Sequence, residues 1–132
     1  TLKGQAAASK TPIVFHGWLD RDGLAFRELY ETSSIFVFPS EMENFPAVLL
    51  EAMNAGLAII TSTAGGCPEV VGEAGLLVAP KDPAAIRSQL LSLIASEEKR
   101  RTLSAAALER IQSFSWEGVA RQYIDLYRQL AR

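Results

Sequence analysis

Four short apolar runs punctuate the first two thirds of the chain: Ile13-Val14-Phe15, Ile35-Phe36-Val37-Phe38, Leu57-Ala58-Ile59-Ile60-Thr61 and Gly75-Leu76-Leu77-Val78. Each is bounded by Gly, Pro, Ser or Asn and predicts a buried strand. The runs are continuously apolar rather than alternating, which is what a parallel sheet covered on both faces requires. Helical patterns fill the gaps, over 24–32 after the first run and over 46–55 after the second, with Pro46 at the helix start and Gly56 just past its end. A shorter helix is predicted from Pro68. This β-α-β-α alternation predicts an α/β fold, a Rossmann-like parallel sheet with flanking helices.

The last third reads as helix throughout. Asp82 is placed to cap a helix over 83–95 whose Ile86, Leu90, Leu93 and Ile94 share one face. Ser96 opens a second helix, with Glu97 and Glu98 in the first turn where negative charge suits the dipole. Ser115 opens a third, and Phe114 is positioned to staple onto Val119. Its Trp116, Val119, Ala120, Tyr123, Ile124, Tyr127 and Leu130 form a continuous apolar stripe, which predicts a packing partner. Residues 1–12 show no such pattern and read as a linker or frayed helix end, leaving 13–132 as the folded domain.

Composition narrows the function classes. A chain of 132 residues with 48% hydrophobic positions suits one compact soluble domain. Its net charge of -2 argues against a general phosphate-backbone binder, so nucleic acid is not an expected partner. Lys99-Arg100-Arg101 reads as a solvated helix face. The single Cys67 forms no internal disulfide, and with only His16 beside it the chain lacks ligands for an ordinary zinc site. A reducing, cytoplasmic setting follows as the default. The most apolar stretch, 47–60, is interrupted by Glu51 and Asn54 and is shorter than the roughly 20 residues of a membrane span, so no transmembrane segment is predicted. No leader pattern is visible, and Thr1 as the first residue suggests truncation.

In an open parallel sheet the ligand crevice lies beyond the carboxyl ends of the strands, so three loops hold the candidate chemistry: 16–20, 39–46 and 62–69. The second carries Glu43, Asn44, Phe45 and Pro46 into a helix. With Pro46 as its first residue, the free amides near Ala47 and Val48 make a seat for phosphate oxygens. Glu51 lies deeper on that helix and leans back over small Ala47 toward the same mouth. A buried carboxylate needs partners. A ribose diol would supply them, and so would Asn54, a serine or backbone groups. Glu43, eight positions before Glu51, reads from spacing alone as a surface loop acid within reach of a sugar.

In the third loop Gly65 and Gly66 permit close backbone approach to a ligand or a positive φ, while Glu69 either serves the helix dipole or touches a ligand. Cys67 reads as a packed residue. After the first run, His16, Gly17 and Trp18 place an imidazole and an indole near the crevice, with a core wall as the alternative home for Trp18. No nucleophile triad, dinucleotide loop or phosphate loop with a lysine occurs.

Taken in order, Phe15-His16-Gly17-Trp18, Phe38-Pro39-Ser40, the Glu43 and Glu51 pair, Glu51-Ala52-Met53, Gly65-Gly66-Cys67-Pro68-Glu69, Gly75-Leu76-Leu77-Val78 and Phe114-Ser115-Trp116 resemble the C-terminal donor-binding domain of GT-B retaining glycosyltransferases of group 1 (GT4 type). The resemblance runs from about Ile13 to Leu130. It implies transfer of a sugar from a nucleotide-diphosphate donor, such as a UDP- or GDP-sugar, with retained anomeric configuration. Glu51 would bind the ribose hydroxyls, the amides around Pro46 to Val48 the diphosphate, and Glu43 the transferred sugar near the reacting carbon. Asn44, Phe45, Gly17, Trp18, Gly65, Gly66 and Glu69 would line the donor crevice.

No resident cofactor is implied, and no metal is expected because the loops lack an Asp-x-Asp cluster. The family's Glu-Gly-Phe-Gly stands here as Glu43-Asn44-Phe45-Pro46, and its diphosphate-binding Arg and Lys, together with an N-terminal acceptor domain, have no counterpart among these residues. The resemblance therefore implies part of a larger, cytoplasmic enzyme, inactive alone, whose acceptor is a glycan or a lipid-linked sugar. Attachment at the inner face of a membrane stays open. A non-catalytic nucleotide or sugar-phosphate binding module and a purely structural α/β domain remain as alternatives.

Overall fold

The computed structural model describes residues 1–131. Its centre is a sheet of three parallel strands, β1 (Ile35–Phe38), β2 (Ala58–Ser62) and β3 (Gly75–Val78), in the order β1-β2-β3. Ile35 pairs with Ala58 and Ile59 with Gly75, so the carboxyl ends of the strands finish together. Helix α2 (Leu24–Thr32) precedes β1, α3 (Ala47–Asn54) crosses from β1 to β2, and the one-turn α4 (Cys67–Val71) with a short turn at Gly72–Ala74 crosses to β3. Three longer helices close the chain: α5 (Pro83–Ala95), α6 (Glu97–Ile111) and α7 (Trp116–Leu130).

All five residues of β2 are buried, because apolar side chains cover both of its faces. Ile59 joins Leu49, Met53, Cys67, Val70 and Ala107 on one side, under α3, α4 and α6. Ile60, one residue on, points oppositely and joins Val78, Leu93, Ile86 and Leu90 under α5. Continuous apolar character in the sequence thus marks a strand sandwiched between two helix layers. Cys67 is packed in the first cluster as a small apolar residue.

The predicted caps form. Asp82 accepts from the Ala85 amide at 2.9 Å, Ser96 from Lys99 at 3.1 Å and Ser115 from Gly118 at 3.0 Å. At residues 1–12 a short helix, α1 (Leu2–Ala7), stands capped by Thr1. Among the described residues no helix is long and apolar enough to cross a membrane.

Two expectations need correction. Ile13-Val14-Phe15 joins no ladder, and all three side chains are exposed. An apolar run becomes a strand only where a neighbour takes its amides and carbonyls, and β1 pairs with β2 alone. Among the described residues the apolar stripe of α7 stays uncovered: no residue of that helix is buried, and Trp116, Tyr127 and Leu130 are among its exposed side chains, so the partner expected for it is not in this part of the fold. Pro46, finally, is the cap of α3 rather than its first residue, because its ψ of 96° is still extended.

Core and stripe should respond oppositely to truncation. Met53→Ala, at a wholly buried position, is expected to lower the unfolding free energy by about 2–5 kcal/mol. Ile124→Ala on α7 should stay within about 0.5 kcal/mol. Urea midpoints at unchanged slope measure both.

Candidate functional site

The loops leaving β1 and β2 meet backbone to backbone. The Gly66 N–H donates to the Glu43 carbonyl at 2.7 Å. A Cβ on Gly65 would strike the Glu43 backbone, and one on Gly66 would strike the Asn44 carbonyl. Gly65 also holds a φ of 56°, a left-handed conformation that other residues adopt at a cost. The paired glycines thus let two loops approach to a distance that any side chain would forbid. Thr61 Oγ1 adds a bond to the Phe38 carbonyl at 2.8 Å, tying the ends of β1 and β2 below the loops.

Pro46 is buried and sets the entry to α3. The first turn is closed by the Leu49 amide on the Pro46 carbonyl at 3.0 Å, so the Ala47 and Val48 amides precede the helical bonding. Ala47 is exposed and Val48 half-buried, which leaves this positive end of the dipole accessible. Asn44 and Phe45 are exposed on the preceding loop, and the Phe45 ring leans on Phe114 with centroids 5.9 Å apart. Glu43 is half-buried, and its carboxylate accepts from Ser40 Oγ at 3.1 Å.

Glu51 stands on the same helix with its side chain only 18% exposed, and both carboxylate oxygens have protein partners. Oε1 pairs with Arg21 Nη2 at 2.5 Å, and Oε2 accepts a long bond from the Tyr30 hydroxyl at 3.4 Å. Protein donors therefore already meet this carboxylate, and they are not the Asn54, serine or backbone groups first considered. Burial, and after it the negative charge of Glu51, push the Tyr30 phenol up to about 12. The bond to Glu51 adds to that rise and the Arg21 guanidinium opposes it. Arg21 is itself 70% exposed, so its hold on Glu51 is that of a surface ion pair, worth at most about 1 kcal/mol.

The first loop reaches the crevice through Arg21. His16 is exposed, Trp18 is 98% exposed and sits in no core wall, and a Cβ on Gly17 would meet nothing within 4 Å. Glu69 is exposed in the first turn of α4, and its backbone carbonyl, not its carboxylate, makes the recorded contact, to Arg110. The structure thus brings together Glu43, Asn44, Phe45, Pro46, Ala47, Val48, Gly65 and Gly66, with Glu51 one turn deeper. Arg21, Tyr30 and Arg110 escaped the sequence reading. Arg21 lies between two aspartates and carries no spacing signal, while Tyr30 shares a helix face with Phe26 and reads as core.

Comparison with known proteins bears on this arrangement. The family of group 1 glycosyl transferases matches residues 1–96. The O-antigen chain mannosyltransferase B of Escherichia coli is 35% identical over 118 residues, which are 89% of this chain and 30% of that protein. A sulfoquinovosyl transferase of Arabidopsis thaliana is 34% identical, over 80% of this chain and 21% of its own length. The chain thus spans less than a third of these relatives. Among solved structures, a sucrose-phosphate synthase from Thermosynechococcus elongatus superposes with a TM-score of 0.80 at 34% identity, covering 98% of this chain and 33% of that one. The C-terminal domain of a group 1 glycosyl transferase from Francisella tularensis gives 0.72 at 29% identity, covering 85% and 58%.

Two measurements test this geometry. Gly66→Ala is expected to destabilise the fold by about 1–3 kcal/mol, because the loops must part and the Glu43 carbonyl loses its donor. Tyr30 gives the second. A phenol raised from 10.0 to about 12 contributes stability that is complete below about pH 10 and is lost as the pH climbs through 12, since the unfolded chain ionises first. Denaturation midpoints followed through that window should fall less steeply in Tyr30→Phe than in the wild type.

Proposed function

This chain belongs to the group 1 glycosyltransferase family, and from that premise we propose that it forms the nucleotide-sugar-binding half of a retaining, GT4-type transferase. The observation that carries the reading is that Glu43 and the first amides of α3 follow the carboxyl end of β1, with Glu51 on the same helix. The donor diphosphate seats on the Ala47 and Val48 amides, where the helix dipole opposes its charge. Transfer builds negative charge on the departing diphosphate, and fixed donors in that position lower the barrier. Glu51 binds the ribose hydroxyls. A carboxylate oxygen keeps acceptor capacity beyond the single contact each now makes, and the exposed Arg21 can yield its place.

Glu43 faces the transferred sugar, and its Ser40 bond fixes the carboxylate for that contact. Asn44, Phe45, Gly17, Trp18, Gly65, Gly66 and Glu69 border the crevice in this reading. The acceptor, a glycan or a lipid-linked sugar, is held by a second domain, and the reaction takes place in the cytoplasm. Two solved structures of similar fold, at 22% and 23% identity, hold UDP and UDP-glucose. UDP therefore belongs in any test, beside GDP and ADP.

A thermal-shift panel of UDP-, GDP- and ADP-sugars on the native polypeptide provides the check, since a ligand bound only by the folded state raises the midpoint. One donor is expected to give a shift. Glu51→Ala should weaken its binding by about ten- to a hundred-fold, as the loss of hydrogen bonds to a charged group does. Glu43→Gln should preserve binding and lower turnover on the order of a hundred-fold. Full turnover in Glu43→Gln would remove Glu43 from the chemistry, binding of a donor with no turnover in the wild type would make the chain a binding module, and the absence of any shift would retire the donor reading.

A further inference from the structure

Phe114, at the junction of α6 and α7, lies between two parts of the crevice that are remote in sequence. Its ring contacts Phe45 at 5.9 Å between centroids, and the Arg110 guanidinium carbon stands 5.5 Å from the centre of the same ring. Arg110 Nε then donates to the Val70 carbonyl at 2.6 Å, and Nη2 donates to the Glu69 carbonyl. Those carbonyls belong to α4, a helix of five residues that is too short to hold itself. A cation at its carboxyl end takes the place of the missing intrahelical donors. Gly72 leaves room for that cation, because a Cβ there would come within 2.9 Å of Arg110 Cζ.

The contacts close into a ring. Starting from Glu43, the Gly66 amide leads to α4, Arg110 grips α4, Phe114 lies against Arg110, and Phe45 returns to the loop two residues from where the path began. We infer that Arg110 and Phe114 are positioning residues that set the gap between the Glu43 loop and α4. They touch no substrate. Their part is to hold Phe45 from one side and α4 from the other, so that the Gly66 contact stays closed and the α3 amides keep their aim. The consequence for donor binding rests on the function proposed above, whereas the mechanical coupling stands without it.

Hydrogen exchange on the native polypeptide tests the coupling. Arg110→Met keeps the apolar stem and removes the guanidinium. It should speed amide exchange at 67–72, which it contacts, and also at 43–49, which it does not, each on the order of ten-fold as for the loss of a charged donor. Arg110→Lys should not rescue, since the compact ammonium lacks the planar fork that reaches both carbonyls and stacks on the ring. Phe45→Leu, a truncation at an exposed position, should in turn speed exchange at 67–72. Faster exchange confined to 67–72 in Arg110→Met, equal acceleration in β2, or no change at 67–72 in Phe45→Leu would each overturn the brace. In the donor arm, UDP, GDP and ADP are titrated in turn, and Arg110→Met should weaken whichever binds wild type by about ten-fold. If none binds wild type, the donor reading falls and the exchange data alone decide the brace.

Discussion

Two stretches of backbone touch where Gly65 and Gly66 face Glu43 and Asn44, and the geometry of the crevice depends on that contact. Side chains normally hold neighbouring loops apart by several ångströms. Here the amide of Gly66 reaches the Glu43 carbonyl directly at 2.7 Å. One bond therefore fixes the height of the Glu43 loop over the sheet, the entry angle at Pro46 and the start of α4. The parallel register beneath it, in which β1 and β2 end together, brings the two loops level in the first place.

A second constraint is electrostatic. Glu51 sits on a helix whose neighbours Leu49, Ala52 and Met53 are wholly buried, so its charge must be met locally. Arg21 and Tyr30 meet it from two different elements, and the raised phenol of Tyr30 is the measurable trace of that arrangement. The pairing is uneven in strength. Tyr30 is packed against Phe26 and Phe36 and is committed to its place, while Arg21 is largely in water and exchanges partners cheaply. A carboxylate held in this way is satisfied when empty and still open to another donor.

The elements near the crevice were legible because each has a local cause. A continuous apolar run gives a strand covered on both faces, a serine or aspartate before a helix supplies its missing acceptor, and paired glycines announce a close approach. The errors lie where the cause is remote. Ile13-Val14-Phe15 has the composition of a strand, but a strand is a relation between two segments, and no described segment lies beside it. Arg21 and Tyr30 each depend on a fold that brings residues 21 and 30 against residue 51, and nothing in the spacing announces that.

The amino-acid sequence by itself determined which segments are strands and helices from Ile35 onward, the two-sided burial of the sheet and the caps, because these follow from periodicity and from side chains acting on their own neighbours, while the order of its motifs carried the resemblance to a family. Only the tertiary structure decided which charge answers Glu51, which glycine meets which carbonyl, and how Arg110 and Phe114 join loops far apart in the chain. Those contacts are set by distance in space, and the order of residues along the backbone does not encode it one pair at a time.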